Sequence, residues 1–504
     1  MAIVKLKRAR NSFLNVSKLP PEVLGDIFRW NVTLNADFGR LEDKSHNFLL
    51  VCHHWFEVAS CTPELWSFWG DNLRDWTKRH LRHPTVPLDL VFNGLRVRPG
   101  NLNDSLRNSL QDRAARDTIR RIHLTAKDSG ILDSIISPLA GCGEIQSSSV
   151  ESMILRDMTE DTSVDVSDFL AYYLFPKLQR LELENCTISS WDLLMSRTSV
   201  LTTLTLFIAY PSPTATSSQI LSILRSNPSL QEISLYGGGV PDDSSGKPSR
   251  VLLAHLRELA LAGHPRDVFS LLHQLDYPGT MDSLVLNLMD STFEDISETI
   301  GPFLRDHLRR RGRSQSGLGL YISSEDSIEL RVEDVGETDL SAPQPLLWMA
   351  TLVEIVIHLD PMPPVDILDE VLLDLIASVP REEVVYFQTC NSPISTEVMS
   401  AQLPYLKAIH FEKTPLDVAF PKSTLGRDEI FLYLQHIILS QVVARRGGWT
   451  PLTTFLDYLA SSGNKLDTLE INGFCDMHRA VEKRVRRAVR EFRVTEDIEF
   501  LVDG

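Results

Sequence analysis

A frame of three apolar residues, spaced apolar-x-x-apolar-x-apolar, returns along most of this 504-residue chain. It reads Leu178-x-x-Leu181-x-Leu183, Leu201-x-x-Leu204-x-Leu206, Leu230-x-x-Ile233-x-Leu235, Leu256-x-x-Leu259-x-Leu261 and Met281-x-x-Leu284-x-Leu286. Later copies are Leu352-x-x-Ile355-x-Ile357, Leu406-x-x-Ile409-x-Phe411 and Leu466-x-x-Leu469-x-Ile471, with weaker ones at Ile119-x-x-Ile122-x-Leu124 and Val150-x-x-Met153-x-Leu155. From 178 to 281 the frames begin 23, 29, 26 and 25 residues apart. The last two apolar positions of a frame lie two residues apart, so both point to one face of a short strand, and the first packs the turn that enters it. Helical patterns fill the gaps, as at 217–225 and 267–275. A strand and a helix of this kind bury each other only when successive units stack, which predicts a mixed α/β, strand-plus-helix array.

In period and frame the array resembles leucine-rich repeats of the strand-plus-helix kind. The resemblance implies a curved solenoid over residues 81–504. Stretches at 211–218, 237–250, 309–317 and 336–345, rich in Gly, Pro, Ser or charge, read as loops, the basic run Arg309-Arg310-Arg311-Gly312-Arg313 among them. Near 477–493, Val481, Val485, Val489 and Phe492 fall on one helical face, which predicts a helical cap. Seven basic and two acidic residues lie in 479–493, so an acidic-partner or nuclear-import patch is the alternative reading.

The first 80 residues differ in composition. They hold eleven Lys/Arg and nine Asp/Glu against 39 and 58 in the remainder, and five of the eight Trp. Pro20-Pro21 suits a helix entrance, and Val23, Leu24, Ile27 and Phe28 follow as an apolar stripe. A second helical pattern covers 48–59 through Val51 and Trp55, and Thr62-Pro63 reads as a helix start with Thr62 as N-cap. So few residues cannot bury all of this apolar surface, and some should stay exposed for a partner.

The order Leu-Pro-x-Glu-x-Leu-x-x-Ile-Phe from Leu19, Leu-Val-Cys-x-x-Trp ending at Trp55, and Pro-x-Leu-Trp ending at Trp66 resembles the F-box family, in the form abundant in mushroom-type fungi. It covers roughly 17–70 and implies a small all-α F-box at 17–80, after an N-terminal tail at 1–16. By the same resemblance Leu19, Pro20, Glu22, Leu24, Ile27, Phe28, Val51, Cys52, Trp55 and Trp66 contact a Skp-type adaptor. Two features depart from the family: the 31–47 stretch is long, and His53-His54 stand where basic residues are common. The two histidines point about 100° apart on a helix, so they do not converge on a metal ion.

The resemblance implies a non-catalytic substrate-recognition subunit of a Skp/cullin/F-box ubiquitin ligase, bridging the adaptor, and through it a cullin, to an unknown protein target. The alternative is an F-box scaffold acting outside a ligase. Strand alternation sends Glu182, Glu184, Phe207, Tyr236, Glu354, His358, His410 and Glu470 to the face opposite the core, where they are the candidate target-binding residues; four are acidic, which favours a basic target. A net charge of −17 disfavours nucleic acid. The six scattered Cys form no CxxC pair, no apolar run is long enough to span a bilayer, and no signal peptide is visible, so a cytoplasmic or nuclear protein is expected. No Gly-x-Ser-x-Gly elbow, phosphate loop or His-Glu-x-x-His occurs, and neither a cofactor nor a metal is expected.

Overall fold

Each apolar frame becomes a buried strand. The computed structural model describes residues 18–37, 43–69, 86–93, 118–127, 130, 132–133, 135–136, 146–147, 149–158, 164–188, 191, 198, 200–207, 216–236, 250–312, 317–324, 327–335, 350–359, 365–392, 394–421, 431–442, 448–473 and 477–495. The expected tail at 1–16, the boundary near 80, and the loops at 237–249 and 336–345 lie outside the described residues. The chain divides into two units, Met1–His255 and Leu256–Gly504. Both are mixed α/β.

The first unit opens with helix α1 (Pro21–Asp37), whose first residue is a proline with no N–H to leave unsatisfied. Gly25 sits inside it because a Cβ there would lie 3.0 Å from Thr62 Oγ1. The single helix expected over 48–59 is broken. A 3-10 turn (Asp43–Leu50) and α2 (His53–Ser60) flank Cys52, whose backbone is extended. Thr62 does not cap; its hydroxyl donates to the Val58 carbonyl at 2.8 Å, and Pro63–Trp66 forms a 3-10 turn. The segment then runs directly into strand β1 (Phe68–Trp69), where the Ser67 carbonyl accepts from Asp89 N at 2.7 Å.

Strands β2 (Leu88–Asn93), β3 (Ile119–Ala126), β4 (Ser152–Asp157), β5 (Arg180–Glu184), β6 (Thr203–Phe207) and β7 (Glu232–Tyr236) follow. Each pairs in parallel with its neighbour in the chain. Their register stacks the frames into two apolar columns, Leu90–Ile122–Met153–Leu181–Leu204–Ile233 and Phe92–Leu124–Leu155–Leu183–Leu206–Leu235, all buried. Helix α3 (Ser217–Ser226) crosses from β6 to β7 and starts with a reciprocal cap: Gln219 N donates to Thr216 Oγ1, and Thr216 N to Gln219 Oε1.

The second unit contains β8 (Glu258–Gly263), β9 (Ser283–Ser291), β10 (Leu318–Ser324), β11 (Ile328–Asp334), β12 (Ala350–Leu359), β13 (Val384–Cys390), β14 (Ala408–Glu412), β15 (His436–Ser440), β16 (Leu466–Asn472) and β17 (Val489–Thr495). Here chain order is interrupted. β12 lies parallel beside β9, β11 runs antiparallel between β12 and β10, and β10 lies parallel beside β13. The spatial order is β8-β9-β12-β11-β10-β13-β14-β15-β16-β17, so a reversed meander is built into an otherwise parallel sheet.

Five strands leave the sheet in one way. Asn185, Asn391, Lys413, Gln441 and Gly473, each next after a strand, have positive φ, and each backbone N–H donates to the last residue of the neighbouring strand. Lysine and glutamine rarely adopt that conformation, so the ladder bond is what holds them there.

Two further sequence expectations change. Arg309–Arg311 form the last turn of α5 (Gly301–Arg311), which follows α4 (Pro265–His273), and are not a loop; cations at a helix C-terminus complement its dipole. The cap at 477–493 is a helix only over α7 (Arg479–Ala488), packed against α6 (Thr450–Ser461). Val489 and Phe492 belong to β17. Among the described residues no helix is long and apolar enough to cross a membrane.

Candidate functional site

The stripe expected on α1 splits in two. Leu24, Phe28 and Val32, at i, i+4 and i+8, are buried. Phe28 stacks on Phe48 with ring centroids 4.4 Å apart and meets Trp55 at 5.1 Å. Trp66 is buried and its indole N–H donates to the Ala59 carbonyl at 3.0 Å. Leu24, Phe28 and Trp66 therefore hold the helices together and do not line a surface. Val23, Ile27 and Trp30, at i, i+4 and i+7, are exposed, Trp30 by 67%. Leu50, Val51 and Phe56 are exposed as well, Leu50 by 84%. Leu19, Cys52 and Trp55 are half-buried; Pro20 and Glu22 are exposed. The Trp55 indole nitrogen is buried without an acceptor among the described residues. Six large apolar side chains thus remain exposed on a segment of under fifty residues.

The strands' other face carries the remaining candidates. In the first unit its columns read Asp89–Arg121–Ser152–Arg180–Thr203–Glu232, Val91–His123–Ile154–Glu182–Thr205–Ser234, and Asn93–Thr125–Arg156–Glu184–Phe207–Tyr236. Glu182 is buried, not displayed. Its carboxylate accepts from Arg180 Nε at 2.7 Å and Arg156 Nη2 at 2.9 Å. Burial works to raise its pKa, but the two arginines outweigh it and hold Glu182 below the usual carboxylate range. Glu184 lies 3.4 Å from Arg156 Nε. Asp89, fully buried, accepts from Arg120 at 3.0 and 3.2 Å and from Arg121 at 2.7 Å. His123, 3.1 Å from Ser152 Oγ, is pushed down to about 4 by burial and by Arg121 and Arg180. At the end of the third column Phe207, 41% exposed, and half-buried Tyr236 sit with centroids 5.9 Å apart.

In the second unit the corresponding column is Ala260–Val285–Glu354–Arg331–Tyr321–Gln388–His410–Ile438–Glu470–Arg493. Glu354 accepts from Arg331 Nε at 3.2 Å. His358 is half-buried. His410 is buried in a polar chain: its Nδ1 lies 3.3 Å from Tyr386 Oη, its Nε2 2.7 Å from Ser440 Oγ. The Tyr386 hydroxyl donates to Gln388 Oε1, and Gln388 Nε2 to Glu412 Oε2 at 3.1 Å. Burial lowers His410 to about 4 and raises Tyr386 well above 10. Glu470 is buried, and burial raises its pKa against the opposing pull of Asn472 and Arg493. Burial also raises Glu333 to about 7.

Three of the four carboxylates expected to make an acidic face, Glu182, Glu184 and Glu354, are therefore matched by Arg156, Arg180 and Arg331 from their own or neighbouring strands. The expectation of a basic target loses its basis there. Those arginines sit at strand positions the sequence reading passed over; asking what stands opposite each outward Glu in the stacked frames would have found them.

Among the described residues no three His, Cys, Asp or Glu converge to hold a metal ion. Cys186, buried and donating toward the Leu155 and Glu184 carbonyls, is pushed up to about 12 by burial, which leaves no thiolate at neutral pH. No family model matches the chain, and no curated protein matches it.

Proposed function

We propose that this chain is the substrate-recognition subunit of a Skp/cullin/F-box ubiquitin ligase, with an F-box at its N-terminus and a leucine-rich-repeat-like body. The observation that carries the reading is the exposure of Val23, Ile27, Trp30, Leu50, Val51 and Phe56 around a core of Leu24, Phe28 and Trp66. A segment that has packed its own core and still presents six large apolar side chains is suited to a partner helix. The adaptor surface then consists of Pro20, Glu22, Ile27 and Val51 from the expected set, together with Val23, Trp30, Leu50 and Phe56. The target surface lies on the outward strand face of the first unit, centred on Phe207 and Tyr236. The chain itself does no chemistry in this reading; it raises the effective concentration of a target's lysines near a ubiquitin-charged enzyme.

The test is direct binding of a purified Skp-type adaptor to the full chain. Ile27→Asp with Val51→Asp changes two exposed positions, so the fold should persist, checked by circular dichroism. Adaptor affinity should fall by a factor of about 30 or more, as for loss of central apolar anchors. Unchanged affinity in a folded double variant overturns the reading. Co-capture of a cullin by the wild-type chain and not by the double variant separates a ligase subunit from a scaffold acting outside one.

A further inference from the structure

The C-terminal helix α7 carries three cations that no acidic side chain among the described residues pairs with. Of its cations, Arg484 pairs with Asp457, and Arg486 with Glu482 at 2.9 Å. On β17, Arg490 pairs with Asp467 at 2.8 Å and Arg493 with Glu491 at 2.8 Å. Arg479, Lys483 and Arg487 stand apart. All three are exposed, and among the described residues none makes an ion pair or side-chain hydrogen bond. They recur at i, i+4 and i+8, so they form one stripe along the helix. The opposite side is fixed: Val485 and Ala488 are buried. The stripe is thus held at constant spacing on a packed element.

We propose that this stripe is a docking surface for an extended acidic peptide segment of a partner protein. The spacing decides the chemistry. Successive cations are four helical residues apart, about 6 Å along the axis. Alternate side chains of an extended chain lie about 6.6 Å apart on one side. A segment reading acidic-x-acidic-x-acidic therefore places one carboxylate opposite each of Arg479, Lys483 and Arg487. The stripe spans only about 12 Å. On a chain with a net charge of −17, so short a stripe gives a nucleic-acid duplex or an anionic bilayer too few contacts to offset repulsion from the rest of the surface. The stripe shares no residue with the proposed adaptor surface, and the inference holds whether or not the adaptor binds.

The experiment uses the full chain and a fluorescent peptide of sequence Glu-Ser-Glu-Ser-Glu-Ser-Glu, with its Gln-for-Glu counterpart as control, read by anisotropy at low and physiological salt. The wild type should bind the acidic peptide, more weakly as salt rises, and not the Gln peptide. Arg479→Gln, Lys483→Gln and Arg487→Gln together should lower affinity about tenfold or more. Lys127→Gln, Lys177→Gln and Lys407→Gln change the net charge by the same amount at other exposed positions and should leave affinity within about twofold of wild type. Equal loss in the two triple variants, or none in either, overturns the proposal. So does tighter binding of duplex DNA or phosphatidylserine vesicles than of the peptide. Peptide binding that appears only after residues 496–504 are removed also overturns it, in favour of an occupant from the acidic end of this chain.

Discussion

The outward strand faces of the two units start from the same alternation and end in different chemistry. In the first unit that face is a set of half-exposed arginines, each satisfied by a buried or half-buried carboxylate: Arg120 and Arg121 by Asp89, Arg156 and Arg180 by Glu182. In the second unit Arg331 pairs with Glu354, but further along the face runs a chain of neutral groups, Tyr386, Gln388, His410 and Ser440, and Glu470 is buried. The frame that builds both sheets specifies only the inward columns. The outward columns are free to vary, and they determine which charges are fixed, which are neutral, and which side chains meet solvent.

The inward columns set the largest expected effect, and it should be the same in both units. Leu206→Ala in the first and Leu439→Ala in the second should each destabilise by about 2–5 kcal/mol, because both side chains are buried in stacked frames. Denaturant unfolding measures it. A cost near zero at either position would show that the two sheets do not share one packing rule.

A smaller effect should have opposite sign in the two units. Glu182→Met in the first leaves Arg156 and Arg180 without their shared acceptor; both guanidiniums are about half exposed, so the loss is moderated to about 1–2 kcal/mol. This reverses the simple expectation that an outward strand residue between two core leucines is indifferent to substitution. Glu470→Met in the second unit removes a carboxyl whose burial outweighs the pull of Asn472 and Arg493, and should be neutral or stabilising by up to about 1 kcal/mol. Destabilisation at both positions would mean that Asn472 and Arg493 outweigh the burial of Glu470 and that the contrast between the faces is one of exposure alone.

What was legible beforehand follows from these same residues. All ten frames noted in the sequence became strands with their three apolar positions buried, because apolar period and burial are the same physical requirement. The strand at Leu434-x-x-Ile437-x-Leu439 carries the frame too and was passed over. β13 escaped because Thr389 holds the third position of its frame. The reversed meander could not be read: Leu318–Ser324 and Ile328–Asp334 alternate like strands, but pairing order is decided by contacts remote in sequence. On α1 the apolar residues were visible, but not which of them face inward. Leu24 and Ile27 look alike in a pattern, and only the arrival of Phe48 and Trp55 against Phe28 selects the buried stripe.

The smallest effect is the response of the two units to pH, read by hydrogen exchange at the strand amides after correction for intrinsic rates. His123 in the first unit and His307 and His410 in the second have folded values near 4, lowered chiefly by burial. Below the ordinary histidine value of 6.5 the unfolded chain binds protons that the fold refuses, so each histidine favours folding above about 6.5 and loses that contribution as pH falls toward 4. Glu333, in the second unit alone, is raised from 4.5 to about 7 by burial, so its contribution is present below about 4.5 and lost as pH rises to 7. Between 4.5 and 6.5 the second unit therefore has opposing terms, while His123 acts in the first beside a Glu182 held low by arginines. Protection in β3–β5 should rise steadily from pH 4.5 to 6.5, and protection in β13–β15 should rise less. Glu333→Gln removes one of the opposing groups, Glu329 and Glu470 being raised as well, and should make the second unit's profile rise more steeply than in the wild type. If that variant leaves the β13–β15 profile unchanged, Glu333 is ionised in the folded chain, and the buried outward face of the second unit holds charge after all.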